Sequence, residues 1–323
     1  MKKRVLLSYA LSAIIIIALV LVIDIGTVIE TLQPLASPEG LLLCIVAFIL
    51  YSLSFLFRGI RWKELLKPIT EVSVIESTQI ILLSFLANNI LPLRLGELVR
   101  AYVLGKNRGI GKVKSFSTVV LDRIVDGLVL VGIFAVSVLF VENIPADVSQ
   151  LILLPLALFI FVILVFAFPE RLLPPVKALA IKLPFVKEGH LGIIDDSLAG
   201  SASLRQGWGS KGILVITSLA EWSAIAAMYW VITAQLGIPL SIAQLFLLTS
   251  FTSLGAMLPS APGYIGTHEA MIAFVLVIFG FTAEQGVSVA ILSHIIIYLV
   301  PLTLAPFCLS SLKTSWREIA GLG

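Results

Sequence analysis

Charge and cysteine are both scarce in this chain of 323 residues, and each scarcity removes a class of protein. Only 13% of the residues are Asp, Glu, Lys or Arg, whereas 59% are hydrophobic. Soluble domains carry roughly a quarter charged residues, so this composition does not supply a soluble surface. The two cysteines, Cys44 and Cys308, stand in apolar stretches and no CxxC occurs, which excludes a disulfide framework. The three histidines, His190, His268 and His294, have no metal-ligand spacing. A P-loop, a GxGxxG turn and a nucleophile–base arrangement are also missing. The expectation is a non-enzyme without metal or cofactor. Lys and Arg fall in connecting segments, so no nucleic-acid partner is expected.

Long apolar runs fill the space that charge leaves, and mean hydropathy is +1.09. Runs at 5–23, 41–57, 117–140, 151–168, 213–236 and 286–309 are each long enough to cross a hydrocarbon core of ~30 Å as a helix. They do not alternate apolar with polar, which excludes an outer-membrane barrel. The run behind Lys2-Lys3-Arg4 is too long for a signal-peptide core and no small-x-small site follows it, so it reads as a retained span. The expected class is an all-α integral membrane protein with about six full spans.

The positive-inside rule orients these spans. Lys2, Lys3 and Arg4 place the N-terminus in the cytoplasm. Segment 24–40 has three acids and no Lys or Arg, so it is external; Arg58, Arg61, Lys63 and Lys67 return the chain to the inside. Segments 142–150 and 237–242 have no basic residue, 170–211 has six, and the tail carries Lys313 and Arg317. Both termini are therefore expected in the cytoplasm of a multi-pass plasma-membrane protein.

Two apolar segments do not fit as crossings. Were 76–93 to cross, Arg94, Arg100, Lys106, Arg108, Lys112 and Lys114 would lie outside, against the charge rule. Asn88, Asn89 and Pro92 also interrupt it, and broken backbone at membrane depth needs cover from protein or a water-filled cavity. It reads as a re-entrant hairpin at about 73–110. Segment 241–281 repeats the pattern around Pro259, Pro262, Gly263 and Gly266. LLSFLANNILPLRLGE aligns on LTSFTSLGAMLPSAPGYIGTHE, and each hairpin lies between two long apolar runs. The charge rule sends the first in from the cytoplasm and the second from outside, an inverted-topology repeat with a site expected near the midplane. The single domain 1–323 thus divides into a first span with its external loop (1–40), a first repeat (41–140), a fourth span with a cytoplasmic linker (141–211), a second repeat (212–309) and a cytoplasmic tail (310–323).

Ionisable groups within membrane segments are functional candidates by default. Arg94, Glu97 and Arg100 are spaced at i, i+3, i+6, which puts Glu97 in reach of both arginines and leaves positive charge to grip a phosphate. Asn88 and Asn89 stand one turn before them. Asp122, Arg123 and Asp126 read as a self-neutralising group that either locks the hairpin or touches substrate. Arg58, Arg61 and Trp62 read as an interfacial anchor. Gly263 and Gly266 allow a tight turn before Glu269, which is cast as a gate, an ion-pair partner or a proton site. Glu221, Glu269 and His294 are candidates for a proton relay, with a carbonyl-bonded buried histidine as the bland alternative.

Four stretches, RGIRW (58–62), NNILPLRLGELVRAY (88–102), LDRIVDG (121–127) and LPSAPGYIGTHE (258–269), resemble the lysylphosphatidylglycerol synthase transmembrane region, a flippase-like family also called uncharacterised protein family 0104. The resemblance runs over nearly the whole chain. It implies an eight-segment membrane domain, some members of which translocate lysylated phospholipids, while others belong to polyprenyl-phosphate or archaeal glycan-lipid pathways. It marks Arg94, Glu97, Arg100, Asp122, Arg123, Asp126, Gly263, Gly266 and Glu269 as characteristic positions. The sequence stops at residue 323 without the soluble aminoacyl-transfer domain of bifunctional members, so only the lipid-translocating half is implied. The expected partner is a membrane lipid with an anionic headgroup, a phospholipid or polyprenyl phosphate, handled by a flippase or transporter that could form a homo-oligomer. The rival is a membrane glycosyltransferase or accessory subunit of a polyprenyl-phosphate pathway, for which Asp195-Asp196 is the one candidate acidic loop.

Overall fold

The computed structural model describes residues 2–91, 95–142, 208–256 and 262–321, with positions 157, 160, 171 and 175. Among them the chain is helical throughout, without a strand. The fourth span and linker expected at 141–211, together with Pro92, Arg94 and Pro259, lie largely or wholly outside the described residues.

Four long helices have the length and apolarity to cross a membrane: α3 (Pro38–Leu66), α6 (Lys112–Phe140), α7 (Trp208–Gln235) and α10 (Ala283–Ser311). The first run forms α1 (Lys2–Val22), which meets α2 (Ile25–Leu32) at a sharp bend. Counting Ser12–Val22 and Ile25–Ala36, bent by 88°, as one broken span raises the number of crossings to five; six spans are not reached among the described residues. Residues 24–40, expected as an external loop, are instead mostly helical. Asp24 caps α2 by accepting the Gly26 N–H at 2.8 Å, a 3₁₀ turn Gln33–Ala36 follows, and α2 packs on α10. The apolar spacing of Val28 and Leu32 gives this short helix a face to bury.

Both interrupted segments form helix–break–helix pairs. The first comprises α4 (Val74–Ile90) and α5 (Gly96–Arg108); the second comprises α8 (Ile242–Gly255) and α9 (Thr267–Ile278). Ser73 and Ser241 cap the entering arms through their hydroxyl oxygens. At the first break the Asn88 side-chain oxygen accepts the Gly96 N–H at 2.8 Å, giving one orphan donor at the start of α5 a partner. A Cβ on Gly96 would lie 2.1 Å from the Ser84 carbonyl oxygen, so glycine sets how closely the arms of this hairpin approach.

The packing order is duplicated. Helix α3 lies on α4, α4 on α5 and α5 on α6; likewise α7 lies on α8, α8 on α9 and α9 on α10. Helix α3 runs against α7, α4 against α10, and α8 against α6. Exchanging α3–α6 for α7–α10 turns this set of neighbours into itself. The short helix α11 (Trp316–Ala320) closes the C-terminal end, with Ile319 buried and Glu318 bonded to Lys106 of α5. Large apolar side chains such as Leu21, Leu139 and Phe307 project outward, each at least 79% exposed, as a lipid-covered surface requires.

Candidate functional site

Where α3, α5, α6 and α7 meet, the apolar core encloses a network of ions. Arg61 of α3, 1% exposed, is its hub. Its Nε donates to Asp122 Oδ1 at 2.8 Å, and its Nη1 reaches Asp126 Oδ1 at 2.9 Å, Glu221 Oε2 at 2.5 Å and Ser218 Oγ at 3.1 Å. Arg58, one turn earlier, lies 2.8 Å from Glu221 Oε1 and stacks 4.5 Å over the Phe85 ring. Trp222 Nε1 donates to Asp126 Oδ1 at 3.0 Å. Arg100 of α5 donates from Nη1 to Asp122 Oδ2 at 2.8 Å, and its guanidinium lies 3.9 Å over the Trp62 ring.

Three arginines (Arg58, Arg61, Arg100) therefore face three carboxylates (Asp122, Asp126, Glu221), and the buried charge sums to zero. That balance is what makes it tolerable here, since an isolated buried ion costs far more than a paired one. Arg58 and Arg61 are in the middle of the site, a correction to their reading as an interfacial anchor. Long-range partners on α6 and α7 hold them inward.

The local spacing rules misassign two pairs. Glu97 bonds Arg123 Nη2 at 3.2 Å rather than Arg100, so the i, i+3 pairing expected along α5 is not formed there. Asp122 and Asp126 take their bonds from Arg61, Arg100 and Trp222, and Arg123 bonds Glu97, so the ion pairs expected within this trio are made outside it. Arg94 lies outside the described residues.

Arg100 has unused capacity. Among the described residues its Nε and Nη2 have no hydrogen-bond partner, although both are buried. These two N–H groups lie along one edge of the planar guanidinium, so Asp122 occupies the other amino group and leaves a complete side-on fork. Arg123 Nε and Asn89 Nδ2 are likewise buried without a partner. Such a fork matches two oxygens of a phosphate or carboxylate.

The second break forms a separate site. Gly263 (φ 70°), Tyr264 (φ 67°) and Gly266 (φ 88°) carry the chain through a bend into α9. A Cβ on Gly263 would meet the Tyr298 hydroxyl at 1.3 Å, so glycine is required there for space as well as conformation. Glu269 Oε2 accepts the Gly266 N–H at 2.7 Å, while Oε1 meets His294 Nδ1. His294 Nε2 lies 2.7 Å from the Gly263 carbonyl oxygen, and the His268 ring stands 4.6 Å away. Of the proposed relay, Glu269 and His294 come together. Glu221 does not join them, because two arginines hold it in the other cluster. His268, not among the candidates, belongs here through its bond to Ser293 Oγ at 3.1 Å. Its place next to Glu269 in the sequence was the available signal.

Comparisons with known proteins place the chain beside other membrane proteins. The chain is 26% identical to the UPF0104 membrane protein of Pyrococcus horikoshii, covering 93% of this chain and 94% of that one. It is 24% identical to the glycosyltransferase AglD of Haloferax volcanii over 82% of this chain but 48% of the relative, so it spans about half of that protein. No solved structure matches. The model of the lysylphosphatidylglycerol synthase TM region matches residues 5–305, and the chain belongs to that family of membrane proteins.

Proposed function

We propose that this protein moves a lipid with an anionic headgroup, a phospholipid or polyprenyl phosphate, between the leaflets of its membrane. The observation that carries the reading is the side-on fork of Arg100, buried and without a hydrogen-bond partner among the described residues, although the charge of its network as a whole sums to zero. A buried guanidinium edge with nothing to bond is costly unless an anion visits it. The duplicated packing of two hairpins, read with the opposite charge flanks of the two halves, supports an inverted repeat in which each hairpin meets the lipid from one side. Asn89 and Arg123 supply further donors, and the acyl or prenyl chain stays in lipid.

A second reading rests on the name of the Haloferax relative. In it, the same fork presents a polyprenyl phosphate to a glycosyl-transferring partner or domain, and the membrane region itself only holds the lipid. The two readings separate in proteoliposomes of purified protein. A fluorescent anionic phospholipid that changes leaflet faster than a zwitterionic one supports transport. Tight binding of the anionic lipid with no change of leaflet transfers support to the holding role.

A further inference from the structure

The bend before α9 has its own chemistry, distinct from the anion fork. His294 is bonded at both ring nitrogens. A backbone carbonyl only accepts, so the nitrogen facing Gly263 carries a hydrogen. The other nitrogen then faces a carboxylate oxygen of Glu269. If that nitrogen and oxygen are both bare, two lone pairs oppose each other, so the contact needs a proton between them. Whether the proton resides on nitrogen or oxygen, the pair is neutral overall. Neutrality suits its setting, a cleft of ≈ 390 Å³ walled by Ile265, Ile291, Ile295, Leu299 and Leu302.

The pair also closes a chain of hydrogen bonds across the bend. It runs from the Gly263 carbonyl through His294 and Glu269 to the Gly266 N–H. The backbone it spans includes Tyr264, a bulky residue at φ 67° that holds this conformation only under constraint. With the proton gone, repulsion parts the chain at its middle, and the Gly266 side of the bend loses its tie to α10, which leaves only the His294 N–H on the Gly263 carbonyl to hold the bend there. We propose that Glu269 and His294 bind one shared proton that latches the 263–266 bend onto α10, and that release of this proton frees the second hairpin to move.

The other titratable groups around the pair are His268 on α9, Tyr264 in the bend and Tyr298 on α10. Beyond Tyr264 stand Tyr51 of α3 and Arg123 of α6. His268 bonds Ser293 Oγ at 3.1 Å, and the Tyr298 ring packs against the His294 ring. The proton is bound whichever lipid the arginine cluster takes, so this inference stands apart from the transport reading.

The test uses a nitroxide at Ile265, a half-exposed side chain on the bend, with Cys44 and Cys308 replaced by alanine and the full chain in lipid nanodiscs. Spectra are recorded from about pH 4 to about pH 10, across which carboxyl and imidazole groups release protons. The parent sharpens as pH rises, as the latch opens. Glu269→Gln stays immobile throughout, because its amide supplies a permanent N–H to His294 while its oxygen keeps the Gly266 N–H. Glu269→Asp, one methylene short, is mobile at every pH. A parent spectrum that does not titrate overturns the proposal. So does Glu269→Gln titrating like the parent or staying mobile, or Glu269→Asp staying as immobile as Glu269→Gln.

Discussion

Arg61 shows how a single side chain can organise a membrane interior. It bonds three acids on two helices, so Arg61→Ala leaves Asp122, Asp126 and Glu221 with only Arg58 and Arg100 against them. The expected cost is about 3–5 kcal/mol, seen as a lower unfolding temperature in detergent. Arg123→Ala removes a pair about a third exposed on the arginine side and should cost no more than about 1 kcal/mol. Equal losses in the two variants would show that the network is not centred on Arg61. The sequence alone made Asp122, Asp126 and Arg100 legible as candidates, because acids and arginines at membrane depth stand out. Their partners were not legible. Spacing rules see only neighbours on one helix, and Arg61 reaches Glu221 across 160 positions of chain. A sharper signal was present: Arg58 and Arg61 on one face of an apolar helix, Asp122 and Asp126 on one face of another, two stripes of opposite sign.

The two helix–break–helix pairs were the most legible elements, since Asn, Pro and Gly interrupt each apolar run. Their closest approaches came only with the structure. Gly96→Ala pushes a methyl against the Ser84 carbonyl and the Asn88 side chain and should cost about 1–3 kcal/mol by overpacking. Gly132→Ala, with open space around its Cβ position in α6, should be neutral or stabilise by up to about 1 kcal/mol. Matching effects on thermal unfolding would remove the tight α4–α5 contact from the account. Helix α2 was not legible as an element. The acid-rich segment at 24–40, with its Gly and Pro, reads as loop, and only its packing on α10 makes its short apolar stripe decisive.

For the whole molecule, the proposed inverted repeat has the two hairpins enter the bilayer from opposite sides. Single cysteines at Gln33 and Glu284 should then react with impermeant reagents from outside in intact cells, whereas one at Arg108 should not. External labelling at position 108 would make α4 and α5 a crossing and undo the inverted repeat. The central claim, that the bare edge of Arg100 receives an anionic headgroup, is tested most directly by lipid binding in native mass spectrometry. The measurement compares phosphatidylglycerol with phosphatidylcholine on the parent, Arg100→Lys and Arg100→Ala. The account predicts that the parent prefers the anionic lipid and that Arg100→Ala loses about 1.5–3 kcal/mol of that preference. Arg100→Lys, which keeps the charge without the fork, should recover only part of it. An unchanged preference for phosphatidylglycerol in Arg100→Ala would contradict it.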